Sequence, residues 1–374
     1  AGRVAHRRTF LEFFAGGGMA RLGLGGRWRC LFANDVDLQK RAAYGANFGL
    51  DHHRAGDVHA LTVRDLPPGT ADLAWASSPC QDLSLAGARG GLSAARSGAF
   101  FGFWRLMEAL ADEGRAPRLI VIENVTGLLT SHGGADFAEL ASRLAARGYF
   151  ISAAVLNAAD FVPQSRPRLF IIGAREDGVG AAVQNGPAPE ALLRAVALLP
   201  PHAKARWRWT GAQPTRTRNK SLADILEDGL TFDPPAKTRA FLAAMAPAQA
   251  AALAALRRSG GPHIGAGFRR VRVEGGVKKV RFEARFDGLA GCIRTPAGGS
   301  SRQVILEINE GRVRSRLMSP REAARAMGLP DDYALPPGDT SALKLVGDGV
   351  SPPVVRWLAE TLLEPALSQT RAAA

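Results

Sequence analysis

Cys80 stands in the stretch Ser77-Ser78-Pro79-Cys80-Gln81-Asp82-Leu83-Ser84, directly after the apolar run Ala71-Asp72-Leu73-Ala74-Trp75-Ala76. That run reads as a short buried strand. The Ser-Ser-Pro break then puts the thiol in a loop at the strand's carboxyl end, where open α/β sheets keep their ligand crevices. A thiol held there can be a nucleophile. Glu123 follows the continuous apolar run Arg118-Leu119-Ile120-Val121-Ile122, and Arg166 and Arg168 precede Leu169-Phe170-Ile171-Ile172-Gly173. A carboxyl and two guanidiniums are therefore offered at comparable strand ends, and an Arg-x-Arg spacing at the start of a strand sends both to one face. Each has a plain alternative: Glu123 as a capping residue, the arginines as a solvated edge.

The elements that position these groups alternate as in an α/β protein. Thr9 to Phe14 is an apolar strand running into Ala15-Gly16-Gly17-Gly18-Met19. Glycines at a strand-to-helix turn let backbone N–H groups approach a ligand, or simply make a tight turn. A second strand, Cys30 to Ala33, ends at Asn34-Asp35-Val36-Asp37. Asp35 is placed to take a ribose hydroxyl, whereas Asp37 reads as the N-cap of the next helix. Asp57, at the end of a third strand, is either an acceptor for an adenine amino group or a turn aspartate. The stretch Leu85 to Leu92, rich in glycine and small residues, reads as a mobile loop. Helices are expected over Phe100–Glu113 and Asp136–Arg147, with a strand at Phe150–Leu156.

The chain has 374 residues, enough for one large and one smaller domain, and a formal charge of +14 at an ordinary hydrophobic content of 46%. A folded basic protein with a polyanionic partner is the first expectation. Three scattered cysteines, Cys30, Cys80 and Cys292, fit neither a disulfide framework nor a metal site, so no metal is expected and a reducing cytoplasm fits best. No apolar run suits a membrane span or signal peptide. From about Arg175 the βα alternation stops, not to resume before Ser319. Between Lys204 and Arg285 stand 17 basic and 6 acidic residues, which carry eleven of the net fourteen charges. Within this segment Arg269, Arg270 and Arg272 face Lys278, Lys279 and Arg281 across Gly275-Gly276, which reads as a hairpin with a basic face. Ala240 to Arg257 reads as one Ala-rich packing helix. Ser319-Pro320-Arg321-Glu322 starts a capped helix, another helix runs from Pro353 to Leu363, and Ser368 to Ala374 reads as a frayed tail.

Taken together, the sequence resembles the cytosine-C5 DNA methyltransferases, with the motifs in the family's own order. The residues that carry the resemblance are Phe14-Ala15-Gly16-Gly17-Gly18, Pro79-Cys80-Gln81, Glu123-Asn124-Val125, Gln164 with Arg166 and Arg168, the Arg321-Glu322 helix and Gly347 to Val350. It covers roughly residues 9 to 175 and 318 to 365; Thr295-Pro296-Ala297-Gly298-Gly299 resembles the end of the family's target-recognition domain. Two positions depart from the pattern: Glu12 stands where the family usually has aspartate, and Asp348 where it usually has asparagine.

The resemblance implies a Rossmann-like, S-adenosylmethionine-dependent α/β sheet (residues 1–175) with a smaller basic target-recognition domain (176–317) and a return to the catalytic domain (318–374). It implies methyl transfer from S-adenosyl-L-methionine to C5 of cytosine in a specific double-stranded DNA sequence. Phe14, Gly16, Gly18, Asp35, Asp57 and Val350 would bind the cofactor. Cys80, Glu123, Arg166 and Arg168 would act on the base, with Pro79, Gln81, Ser84 and Asn124 around it and Arg269, Arg270 and Arg272 on the DNA. The target cytosine would have to leave the stack, with the Leu85–Leu92 loop as lid. A monomer in the cytoplasm, associated with the nucleoid, is expected, with a cognate restriction endonuclease as candidate partner. An RNA cytosine methyltransferase, a non-catalytic DNA-binding relative and a Rossmann dehydrogenase are the rival readings.

Overall fold

The computed structural model describes residues 7–79, 98–179, 187–296 and 302–372. Cys80, Gln81, Ser84 and the expected lid at 85–92 lie outside them. A seven-stranded sheet is built from β1 (Arg8–Phe13), β2 (Trp28–Asp35), β3 (His53–Ala55), β4 (Leu73–Ala76), β5 (Leu119–Val125), β6 (Phe150–Asn157) and β7 (Pro167–Ala174), in the order β3-β2-β1-β4-β5-β7-β6. β1 to β5 pair in parallel, while β7 runs antiparallel between β5 and β6. Sheets of this kind are covered on both faces, which is why β4 is buried at every residue and β5 at all but its last. Strand order reverses between β1 and β4, so the loops after Phe13 and Ala76 border the crevice that such a reversal creates.

Helix Leu38–Phe48 starts directly after Asp37 as expected, and helices Ala99–Asp112 and Ala135–Ala146 follow the sequence reading to within a residue. Asp37 caps the first, accepting from the N–H groups of Gln39 and Lys40 at 2.9 and 3.2 Å.

Two compact units divide the chain at other points than its Pro and Gly breaks. One runs to Asn157, resumes over Pro167–Thr215 and again from Val354; the other comprises Ala158–Arg166 and Arg216–Pro353. Residues 187–215 thus belong with the seven-stranded sheet. Ile151 donates to Arg206 O at 2.8 Å and accepts from Arg208 N at 2.7 Å, and Trp207 packs edge-on against Phe137 in the main core. Helix is also found over Ser368–Ala372, within the stretch that reads as a frayed tail. Helix Glu364–Ala372 forms because Leu367 is buried and Glu364 takes the Trp28 indole N–H at 3.0 Å and Arg27 at 3.3 Å.

The second unit carries an antiparallel sheet of β8 (His263–Glu274), β9 (Val277–Arg285), β10 (Val304–Asn309) and β11 (Arg312–Leu317), in the order β11-β10-β8-β9. β8 and β9 join through Gly275 and Gly276, with φ of 57° and 79°, a two-residue turn that only positive φ at both positions allows. The single helix expected over Ala240–Arg257 is two, Pro235–Ala243 and Pro247–Ser259. Pro247 has no N–H to continue the first and starts the second instead. Ser319 begins helix Pro320–Met327 with a capping box closed by Glu322. Glu322 is fully buried and holds Arg316 at 2.6 Å, which seats this helix in the second unit.

Candidate active site

The turn after β1 is held open by backbone geometry. Phe14 has a φ of 56°, which an L side chain rarely adopts, and Gly16 and Gly18 have φ of 54° and 77°. A Cβ on Gly18 would come 2.4 Å from the Phe48 ring, so that position admits only glycine, whereas Gly16 faces open space. Asp35 fixes this turn: its Oδ2 accepts from Gly16 N and its Oδ1 from Asp37 N, both at 2.8 Å. Asn34 donates to Arg54 O and Gly56 O at 2.9 and 3.0 Å and so ties the end of β2 to the turn bearing Asp57. Asp57 accepts from His59 N at 2.9 Å. Beside them Val36 and Leu38 are 68% and 70% exposed. These two apolar side chains at a strand end are what the sequence reading missed; only their position one and three residues beyond Asp35 could have marked them.

Glu123 and Arg168 meet as neighbours on one face of the β5–β7 pair. Register sets Glu123 opposite Phe170 and Val125 opposite Arg168, and alternation sends Glu123 and Arg168 to the same side. Arg168 Nε lies 3.4 Å from Glu123 Oε1, with the carboxylate side chain 9% and the guanidinium 16% exposed. Asn124 points the other way and is buried. Its Nδ2 donates to Ser78 O at 3.1 Å and its Oδ1 accepts from Val125 N at 2.8 Å, so its amide holds the segment two residues before Cys80. Pro79 is exposed.

Gln164 and Arg166 have a different use. β7 begins at Pro167, so strand alternation does not reach Arg166, and its guanidinium is not directed by the spacing from Arg168. Arg166, 3% exposed, donates to Ile293 O at 2.7 Å, Gly347 O at 2.8 Å and Gly349 O at 2.7 Å, with Cys292 Sγ at 3.5 Å. Gln164 is fully buried and spans Ala326 O and Ile293 N at 3.1 and 3.0 Å. Both tie together segments of the second unit. Val350 is buried there, and Asp348 accepts from the Thr295 hydroxyl.

The hairpin arginines do not share a surface. Arg270 and Arg272 lie on one face, reaching Glu283 at 3.7 and 2.5 Å, while Arg269 lies on the other with Val271 and Val273. The expected single basic face is two faces of different character.

One further acid and one further thiol are buried within β1 and β2. Glu12 is 1% exposed, and burial pushes its carboxyl from 4.5 up to about 8, against the pull of Arg21. Burial likewise pushes the Cys30 thiol up to about 12, which removes it as a nucleophile at neutral pH.

The family model of C-5 cytosine-specific DNA methylases matches residues 8–364. The Type II methyltransferase M.HpaII of Haemophilus parainfluenzae is 28% identical over 379 residues, covering 95% of this chain and 89% of that protein. M.NlaX of Neisseria lactamica is 26% identical, covering 94% of this chain and 95% of its own length. Among solved structures, the S. pombe Dnmt2 methyltransferase aligns with a TM-score of 0.61 at 17% identity, covering 96% of this chain and 99% of that one. The Entamoeba histolytica methyltransferase EhMeth aligns with the same score at 13% identity over 96% and 98%. These last two are similar in fold.

Proposed function

Because the chain belongs to the C-5 cytosine-specific DNA methylase family, we propose that it methylates one short duplex sequence through Cys80, with Glu123 and Arg168 gripping the target cytosine. Cytosine C5 is a poor nucleophile while the ring stays conjugated. Addition of the Cys80 thiolate to C6 makes C5 the end of an enamine. Glu123 then holds or protonates N3 and drains the negative charge that builds on the ring, and Arg168 steadies O2. After C5 is methylated, loss of its proton to a base or water expels the thiolate and restores the ring. The Glu123–Arg168 pair carries this reading, because a carboxyl and a guanidinium side by side at a strand end match the N3 and O2 edge of one base.

S-adenosyl-L-methionine, when bound, supplies an electrophilic methyl group. Open space at Gly16 and the left-handed turn at Phe14 fit such a ligand at the β1 end of the crevice. Asp35 would take ribose hydroxyls, Asp57 the adenine amino group, and Val36 a face of the purine. Asn124 and Arg166 act as positioning residues, the first on the Ser78 segment, the second on the backbone around Gly347 and Gly349. The catalytic role falls to the seven-stranded unit and target recognition to the second. The Type II names of the relatives favour a restriction-modification role, with a cognate endonuclease as partner.

The test is methyl mapping by bisulfite conversion after incubating a random-sequence duplex library with the protein and cofactor. Protected cytosines at one recurring short sequence are expected. No protected cytosine in duplex DNA, with modification of folded RNA instead, would overturn the reading.

A further inference from the structure

The β8–β9 hairpin extends past the sheet that bears it. Pairing of β8 with β10 covers His263–Gly267, and beyond this the partner of β8 is β9 alone. The projecting arms, Arg269–Glu274 and Val277–Arg281, reach about 17–20 Å at the usual rise per strand residue, and Phe282, buried against Phe241, marks their base. Their two faces differ. On one, Arg270 and Arg272 reach Glu283, and Lys279 and Arg281 reach Glu274 at 3.4 and 2.6 Å. The hydrogen bonds from Arg281 draw Glu274 down to about 2, so this face already balances much of its charge. The other face carries Arg269, Val271, Val273, Lys278 and Val280 and no carboxylate. Val271, Val273 and Val280 are 59%, 67% and 58% exposed. Exposed valines along a sheet edge form a surface that proteins normally cover.

We propose that this valine face is the surface with which the hairpin enters the major groove of duplex DNA, the valines lying against base edges and thymine methyl groups while Arg269 and Lys278 reach the flanking phosphates. The inference rests on the DNA-methylation reading above and adds to it the residues that select the sequence. A major groove about 12 Å wide admits a two-stranded ribbon, and an apolar contact with the thymine methyl is one of the ways a base pair is told from its reverse. Charge favours this occupant over a second copy of the chain. Between Arg269 and Glu283 stand six basic and two acidic residues, so two hairpins packed face to face would repel.

The test compares two valines with the same exposure on opposite faces. Val277, 59% exposed, pairs with Glu274 and so lies on the ion-paired face. Binding to a random-sequence duplex is measured by fluorescence anisotropy for Val271→Glu and Val277→Glu, with thermal melting to show that both remain folded. Both variants change the net charge equally. Val271→Glu should weaken binding roughly tenfold or more, and Val277→Glu less than about threefold, as expected if only the first face meets the groove. Equal losses would show a diffuse electrostatic effect and overturn the proposal, as would no loss in either. A milder variant, Val271→Ser with Val273→Ser, should relax the methylated consensus read from the duplex library at one or more positions while S-adenosylhomocysteine binding stays unchanged. An unchanged consensus would likewise overturn it. If the unaltered protein methylates no duplex, the enzymatic reading fails instead, and the anisotropy comparison still reports on the hairpin.

Discussion

Replacing Glu12 by glutamine should make the protein more stable, and by an amount that grows with pH. Glu12 sits in β1 with 1% exposure, and its Oε2 has no hydrogen-bond partner among the described residues. Burial is the main cause of a carboxyl raised from 4.5 to about 8, and Arg21 only partly opposes it. The folded chain therefore holds this proton more tightly than the unfolded chain. Stability is full below about 4.5 and is lost as pH rises towards about 8, because the unfolded carboxyl ionises first. At 1.36 kcal/mol per pH unit, the penalty is about 3 kcal/mol at pH 7 and about 5 kcal/mol above pH 8. Glu12→Gln keeps the shape and the neutral amide and cannot ionise, so it removes the penalty. Urea unfolding at pH 5, 7 and 8.5 measures the difference between variant and parent, which cancels the titration of every other group. The gain should be under about 1 kcal/mol at pH 5 and several kcal/mol at pH 8.5. Parallel curves across that range would refute the reasoning and show that Glu12 is ionised and paired in the folded state.

Two further outcomes follow from the same geometry. Arg166→Lys should lower stability by about 2–4 kcal/mol, since a single ammonium cannot span the carbonyls of Ile293, Gly347 and Gly349 and leaves buried acceptors unpaired; an unchanged melting temperature would show that the clamp is dispensable. Asp35→Ala should weaken S-adenosylhomocysteine binding in calorimetry by about 1–3 kcal/mol, through lost ribose contacts and a loosened Gly16 turn; equal binding of NAD by the parent protein would point to a dehydrogenase instead.

The single strands, the glycine turn after β1, the Asp37 cap, the Ser319 capping box and the Gly275-Gly276 hairpin are legible because each depends mainly on residues close in the sequence. Propensity, periodicity and caps act over a few positions, and they place Glu123 and Arg168 beside strand ends. Arg166 shows where such reading stops. Its partners are backbone carbonyls 127 to 183 residues away, and a carbonyl leaves no trace in the identity of its residue. Asn124 is a milder case: its Oδ1 accepts from the adjacent Val125 N–H, but its Nδ2 donates to the Ser78 carbonyl 46 residues away. The hairpin arginines look like one basic patch in the sequence, yet a strand turns Arg269 away from Arg270 and Arg272. Residues 187–215 read as part of the second domain by their Pro and Gly content, whereas Trp207 packs against Phe137 in the core of the first unit.

The central claim is that Cys80 attacks C6 and cannot leave until the C5 proton has gone. A fluorine at C5 cannot depart as a proton, so a duplex carrying 5-fluorocytosine at the mapped target should trap the protein when S-adenosylmethionine is present. The account predicts a denaturation-resistant protein–DNA adduct, peptide mapping of that adduct to Cys80, and no adduct with Cys80→Ala, which should still bind duplex DNA. An adduct on Cys30 or Cys292, or sustained methylation by Cys80→Ala, would contradict it.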